Sequence, residues 1–163
     1  MHNISSIKER YRILERNVLI LIILPLPFFA FVYLNLTKPI RTIEIPEVPE
    51  LLNPFLFSLA VALLAFQQIN FKRNINSIKE KELGLEDKLK GYSKATTLRY
   101  VLLAVVGFIA AAGLLFYENA GFTVTYAITL ILVSVAKPSP ERINRLFGLK
   151  GEEKELVYHI NKF

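Results

Sequence analysis

The sequence predicts an all-α integral membrane protein: four transmembrane helices, both termini cytoplasmic (N-in/C-in), and short amphipathic cytoplasmic helices. Three observations carry that prediction. The 163 residues are 53% hydrophobic and only 21% charged, with the charges gathered in clusters. No charged side chain occurs between Arg16 and Lys38, Glu50 and Lys72, Arg99 and Glu118, or Glu118 and Lys137, leaving gaps of 21, 21, 18 and 18 residues. A helix needs roughly 17 to 25 residues to cross about 30 Å of hydrocarbon. The gaps do not alternate apolar with polar residues as barrel strands do, so helices are the form that satisfies the backbone in lipid. The third observation is charge placement. Lys and Arg number 4 before the first gap, 2 in residues 38–50, 8 from Lys72 to Arg99, none in the third loop and 6 after the fourth gap. By the positive-inside rule the basic segments are cytoplasmic.

Residues 1–136 are therefore expected to form a transmembrane domain, with spans at about 17–37, 52–71, 98–117 and 121–136 and a cytoplasmic helical loop at 72–97. Residues 137–163 are expected to be a cytoplasmic helical tail. Ahead of the first span, Ser6 and Glu9 form a capping-box start. Ile4, Ile7, Tyr11, Leu14 and Val18 then make an apolar stripe, suited either to lipid headgroups or to another helix. The first span is longer than a signal-peptide core and YLNLTKP offers no small-residue cleavage site, so it reads as retained. Pro25 and Pro27 remove backbone donors within it and predict a kink.

The outer loop is proline-punctuated, with Ile43, Glu44 and Ile45 alternating like an extended strand; Asn35-Leu36-Thr37 is a weak glycosylation match at the membrane edge. Asn53-Pro54 marks the start of the second span. Gln67, Gln68 and Asn70 at its end read as headgroup-boundary residues, with bonding across helices as the alternative. Beyond them Phe71, Ile75, Ile78, Glu82, Leu85, Leu89 and Tyr92 keep a helical seam. Ser77 and Glu80 suggest a helix start, Gly84 a bend, and Gly91 with Ser93 a boundary between two helices.

In the third span, Gly107 and Ala111 form a small-xxx-small pair, with Ala104, Ala112 and Gly113 nearby, and are the candidate helix-packing residues. The hydroxyls of span four, Thr123, Thr125, Tyr126, Thr129 and Ser134, can bond back to the preceding turn or line a pathway. Lys137 marks the membrane exit, and Ser139-Pro140-Glu141 starts a capped helix that Gly148 stops. Ile143, Leu146 and Phe147 are its apolar side and the candidate cytoplasmic docking surface. A last helix is expected from Glu152 to about Asn161, with Leu156, Ile160 and Phe163 on one side.

The two histidines, His2 and His159, lie near opposite termini and outside metal-ligand spacing, and there is no cysteine. No catalytic residue, metal or cofactor is expected. A DNA-binding helix-turn-helix is disfavoured by GEEKE at the start of the last helix, where phosphate would be repelled. The span cores contain no ionisable group of the kind that proton-coupled carriers and membrane-embedded enzymes use.

These features point to a non-enzymatic accessory or scaffold subunit of a membrane protein complex. The alternative is a small homo-oligomeric channel or carrier for a neutral or lipid-like solute. The expected partners are the bilayer, with anionic lipid on the cytoplasmic side, and other membrane protein subunits or copies of the chain; nucleic acid is not expected. Abundant Ile, Asn and Lys suit an AT-rich bacterial genome, which makes the cell inner membrane the expected location.

Overall fold

The computed structural model describes residues 4–37, 46–81 and 83–160, with the side chain of Ile4 left aside. The expected extended segment Ile43–Ile45, Glu82, His2 and Phe163 lie outside the described residues. Within them the chain is all-helical, without strands: α1 Ile4–Ile23, α2 Leu26–Thr37, α3 Leu52–Glu80, α4 Leu85–Tyr117, α5 Ala120–Ala136, α6 Pro140–Phe147 and α7 Gly151–His159. Three stretches are long and apolar enough to cross a membrane: α1 with α2, α3, and α4. A fourth is added if α5 and α6, bent by 78° at their junction, count together.

The first apolar stretch, Ser5–Thr37, is long and apolar enough to cross as one unit and is interrupted at Leu24–Pro25, as its prolines predict. Proline has no backbone N–H and its ring crowds the preceding turn, so α1 ends at Ile23 and α2 restarts at Leu26. The break stays bonded, because the Leu24 N–H donates to the Ile20 carbonyl and the Phe29 N–H to the Pro25 carbonyl, each at 3.0 Å.

The segment 72–97 differs from its sequence reading. No helix starts at Ser77 and none changes at Gly91. At 1.5 Å per residue, α3 is about 43 Å long and α4 about 50 Å, so both overrun a 30 Å hydrocarbon layer. They leave the apolar region as an antiparallel pair, and α4 itself makes the return as continuous helix. Gly84 is the N-cap of α4, with Glu86 and Asp87 in the first turn where the helix dipole favours negative charge. Gly91 stays helical because it is a packing notch: a Cβ there would lie 2.6 Å from Ile78 Cδ1. This close contact offsets the roughly 1 kcal/mol that glycine costs inside a helix.

Around α4 the remaining helices assemble. Half of its apolar window is buried, 50% against 11% for α3, which makes α4 the central post. One apolar core lies inside the spans and contains Phe29, Val32, Ala110, Ala111, Phe122 and Tyr126. A second lies at the basic end, where Ile7, Tyr11, Leu14, Leu89, Tyr92 and Ile143 meet. The stripe of α1 is thus buried on protein rather than resting on lipid. At the opposite end the Tyr117 hydroxyl donates to the Pro49 carbonyl (2.9 Å) and Asn119 Nδ2 to Asn53 Oδ1 (3.3 Å), tying the α4–α5 turn to the start of α3. Asn119 also caps α5 by accepting from the Gly121 N–H.

Gly113 is the tightest notch, since an added Cβ would overlap the ring of fully buried Phe122. Gly113→Ala is expected to destabilise the bundle by about 1–3 kcal/mol. Thermal unfolding in detergent measures this, and the smaller ring-free side chain of Phe122→Leu restores part of the loss in the double variant.

Candidate functional site

One face of α4 carries Tyr92, Thr96, Arg99 and Leu103 at helical spacing, directly continuing the seam of Leu85 and Leu89. All four are buried; Arg99 is only 4% exposed. Its Nε donates to Gln67 Oε1 at 2.8 Å and its Nη2 to Gln68 Oε1 at 2.7 Å, while the guanidinium carbon lies 4.8 Å from the centre of the Phe71 ring. Gln67 also donates through Nε2 to the Leu64 carbonyl at 3.0 Å, which fixes its amide with the oxygen toward Arg99.

Among the described residues no carboxylate pairs with this arginine. Its charge is held by two amide dipoles and an aromatic face, contacts suited to the weakly hydrated, planar guanidinium. The glutamines are therefore cross-helix partners, not simply boundary markers. They clamp α3 to α4.

The neighbouring groups complete a polar belt around the end of α5. The last carbonyls of a helix lack intrahelical partners. Here the Tyr100 hydroxyl donates to the Val133 carbonyl at 2.9 Å, the Lys137 N–H to Ser134 at 3.4 Å, and Arg142 Nη1 to Val135. Arg142 is delivered by α6, whose start follows the predicted chemistry: Ser139 Oγ accepts from the Arg142 N–H at 3.2 Å, Pro140 occupies the first turn, and Gly148 closes the helix with φ +60°. Tyr92 sits among these groups, packed edge-on to Phe71 and Phe147. Burial pushes its phenol above the ordinary range, against the smaller opposing effects of the adjacent Thr96 hydroxyl and then of the Arg142 and Arg99 cations. The Tyr92 hydroxyl and Thr96 Oγ1 are buried beside each other, and neither makes a hydrogen bond of good geometry.

The residues singled out in the sequence fall as follows. A Cβ on Gly107 would meet Pro25 Cβ at 3.0 Å and Tyr126 Cε2 at 3.4 Å. Ala111 is fully buried in the core with Phe29 and Phe122. Both therefore receive helices of this same chain. Ile143 is likewise fully buried in the core at the basic end, and Leu146 and Phe147 are half-buried against it. That apolar side of α6 is occupied intramolecularly.

In α5, Thr125 Oγ1 donates to Gly121 (2.9 Å), Thr129 Oγ1 to Thr125 (2.8 Å) and Ser134 Oγ to Leu130 (2.9 Å), so these hydroxyls bond back to their own helix. The cavity beside Tyr126 and Thr129 measures only about 10 Å³, less room than a pathway requires. Among the described residues no group of three His, Cys, Asp or Glu side chains is placed to hold a metal. His159 borders an open groove of about 470 Å³ between α1 and α7, next to Ile7, Lys8 and Glu155.

Sequence reasoning used Arg99 as a boundary charge and missed its burial. The signal was present in the seam, which continues without a break from Tyr92 through Thr96 to Arg99. Arg142 carried no such signal, because its partner comes from the preceding helix across a bend.

Gln67→Leu leaves the Arg99 Nε–H buried and unpaired, and is expected to destabilise by about 1.5–3 kcal/mol. Adding Arg99→Met recovers part of that loss, so the two variants are non-additive in a thermal-unfolding cycle. Tyr92→Phe removes a buried hydroxyl whose contact with Thr96 falls short of a well-formed hydrogen bond, and is expected to change stability at neutral pH by less than about 1 kcal/mol. The fold favours the neutral phenol, so stability is full below the unfolded-state value of about 10 and falls as pH rises beyond it. Tyr92→Phe should shrink that alkaline loss in a pH series of melting curves.

Compared with models of protein families, with curated proteins and with solved structures, the chain matches none.

Proposed function

We propose that the chain is a non-catalytic accessory or scaffold subunit of a membrane protein complex in a bacterial inner membrane, with four crossings and both termini cytoplasmic. The observation that carries this reading is the employment of Arg99, the polar groups around it and the hydroxyls of α5 in holding helices together. Arg99, Gln67 and Gln68 bind helix to helix, Tyr100 and Arg142 cap α5, and Thr125 and Thr129 bond to their own turns. Polar groups that serve the framework in this way are not poised for proton transfer or nucleophilic attack.

Orientation is supported by charge. Among the described segments, the core at the basic end gathers α1, the overrun of α3 and α4, and α6 with α7. These carry most of the Lys and Arg residues, which favour the cytoplasmic side and its anionic lipid. The outward surfaces are those a subunit needs. α3 leaves Phe55, Phe66 and Ile69 at 59%, 50% and 65% exposure, an apolar face for lipid or for a neighbouring helix.

Solubilisation from native membranes in mild detergent, followed by cross-linking and mass spectrometry, is expected to recover a stoichiometric membrane-protein partner. A homogeneous monomer without one, or solute flux through liposomes containing this chain alone, would overturn the proposal.

A further inference from the structure

Between α1 and the last turn of α5 lies a groove of about 440 Å³, within the range of about 300–1,000 Å³ common for ligand sites. Val18, Leu19, Ile22 and Val133 form its apolar walls. Glu15 stands at its rim one turn before the apolar run of α1, and Lys137 stands one turn beyond Val133 at the end of α5. The groove therefore lies where an apolar span meets its polar boundary, and its apolar part faces outward between two helices.

Two details set its chemistry. Glu15 and Lys137 line one cavity yet form no ion pair with each other; among the described residues the salt bridge present is Arg10 with Glu86, at 4.0 Å. Pro138, which lines the end of the groove, accepts through its carbonyl from the Tyr11 hydroxyl at 3.3 Å, and this ties α1 to the connection after α5. The site thus offers an acceptor and a cation, held apart, above an apolar slot.

We infer that this groove binds a phospholipid with a primary-amine head group, of the phosphatidylethanolamine type. Its phosphate accepts from the Lys137 ammonium, its own ammonium donates to the Glu15 carboxylate, and the upper part of an acyl chain lies against Val18, Leu19, Ile22 and Val133. Ser134 Oγ donates its proton to the Leu130 carbonyl, which leaves its lone pairs free to accept from the lipid amine. An anionic head group without an amine places its phosphate on Lys137 but leaves Glu15 uncompensated beside it. A quaternary choline carries the charge but has no N–H to donate. The inference rests on the chain lying in a bilayer and is independent of whether it has a protein partner.

The test is native mass spectrometry of the full chain in detergent with phosphatidylethanolamine, phosphatidylglycerol and phosphatidylcholine of identical acyl chains. Phosphatidylethanolamine is expected to bind roughly tenfold tighter than either of the others, as one charge-assisted hydrogen bond allows. Glu15→Gln should abolish the preference over phosphatidylglycerol while retaining binding, and Lys137→Gln should weaken both lipids. Leu19→Trp, at an exposed position on the groove wall, should exclude all three. Equal binding of the three lipids to the wild-type chain, or an unchanged preference in Glu15→Gln with an unaltered melting temperature, overturns the inference. Neither result depends on the recovery of a partner, so failure here is separable from failure of the accessory-subunit reading.

Discussion

Close contact at small residues along α4 holds this molecule together, because inside a bilayer the hydrophobic effect no longer drives helix against helix. What remains is van der Waals contact and hydrogen bonding, and both demand near approach. Gly107 receives Pro25 and Tyr126 and Gly113 receives Phe122 within the apolar stretches, and Gly91 receives Ile78 in the overrun beyond them, so three notches on one helix seat the α1–α2 break, α5 and α3. The break at Pro25 fits this scheme. A proline shoulder that interrupts one helix lands on the glycine of another, and the same residue that weakens the first crossing locates it on the post.

The second source of cohesion is polar, and it lies at the basic end of the apolar spans. A charged guanidinium at 4% exposure is costly unless it is compensated, and here Nε and Nη2 donate to amides and the group lies over an aromatic ring rather than against an acid. A neutral partner keeps the cation's charge instead of cancelling it, so the junction of α3 and α4 remains electropositive beside Arg142 of α6. The overrun of α3 and α4, the stripe of α1 and the short helices α6 and α7 form a second apolar core on this base. The part of the molecule most easily taken for loops and a tail is as packed as the spans.

That packing bears on function. The helix faces that looked available for partners are largely consumed within the chain, as Ile143, Gly107 and Ala111 illustrate. The accessory-subunit proposal therefore draws its surface from elsewhere: the outward side of α3, and the groove beside Lys137 where lipid can take part. The same consumption disfavours a pathway along the hydroxyls of α5, which bond to their own helix and face a nearly filled interior.

The membrane character, the positions of the long helices and the capped start of α6 were legible in the sequence, since each depends on residues near one another in the chain. Charge-free runs set the spans, Pro25 set the break, and Ser139-Pro140 set the cap. The signals at Ser77–Glu80 and Gly91–Ser93 misled for the converse reason. Their local preference for a helix end is worth about 1 kcal/mol, and at Gly91 the close approach of Ile78 favours glycine within the helix instead. The distribution of charge along the sequence thus determined that this chain has helices long and apolar enough to cross a membrane and roughly where they run. Only the tertiary structure decided that Gly91 and Gly107 are seats for other helices, that Arg99 is a buried clamp rather than a boundary charge, and that Glu15 and Lys137 share a groove. Those roles depend on which residues, distant in sequence, occupy the opposing surface, and hydrophobic periodicity records that a face is buried without recording what buries it.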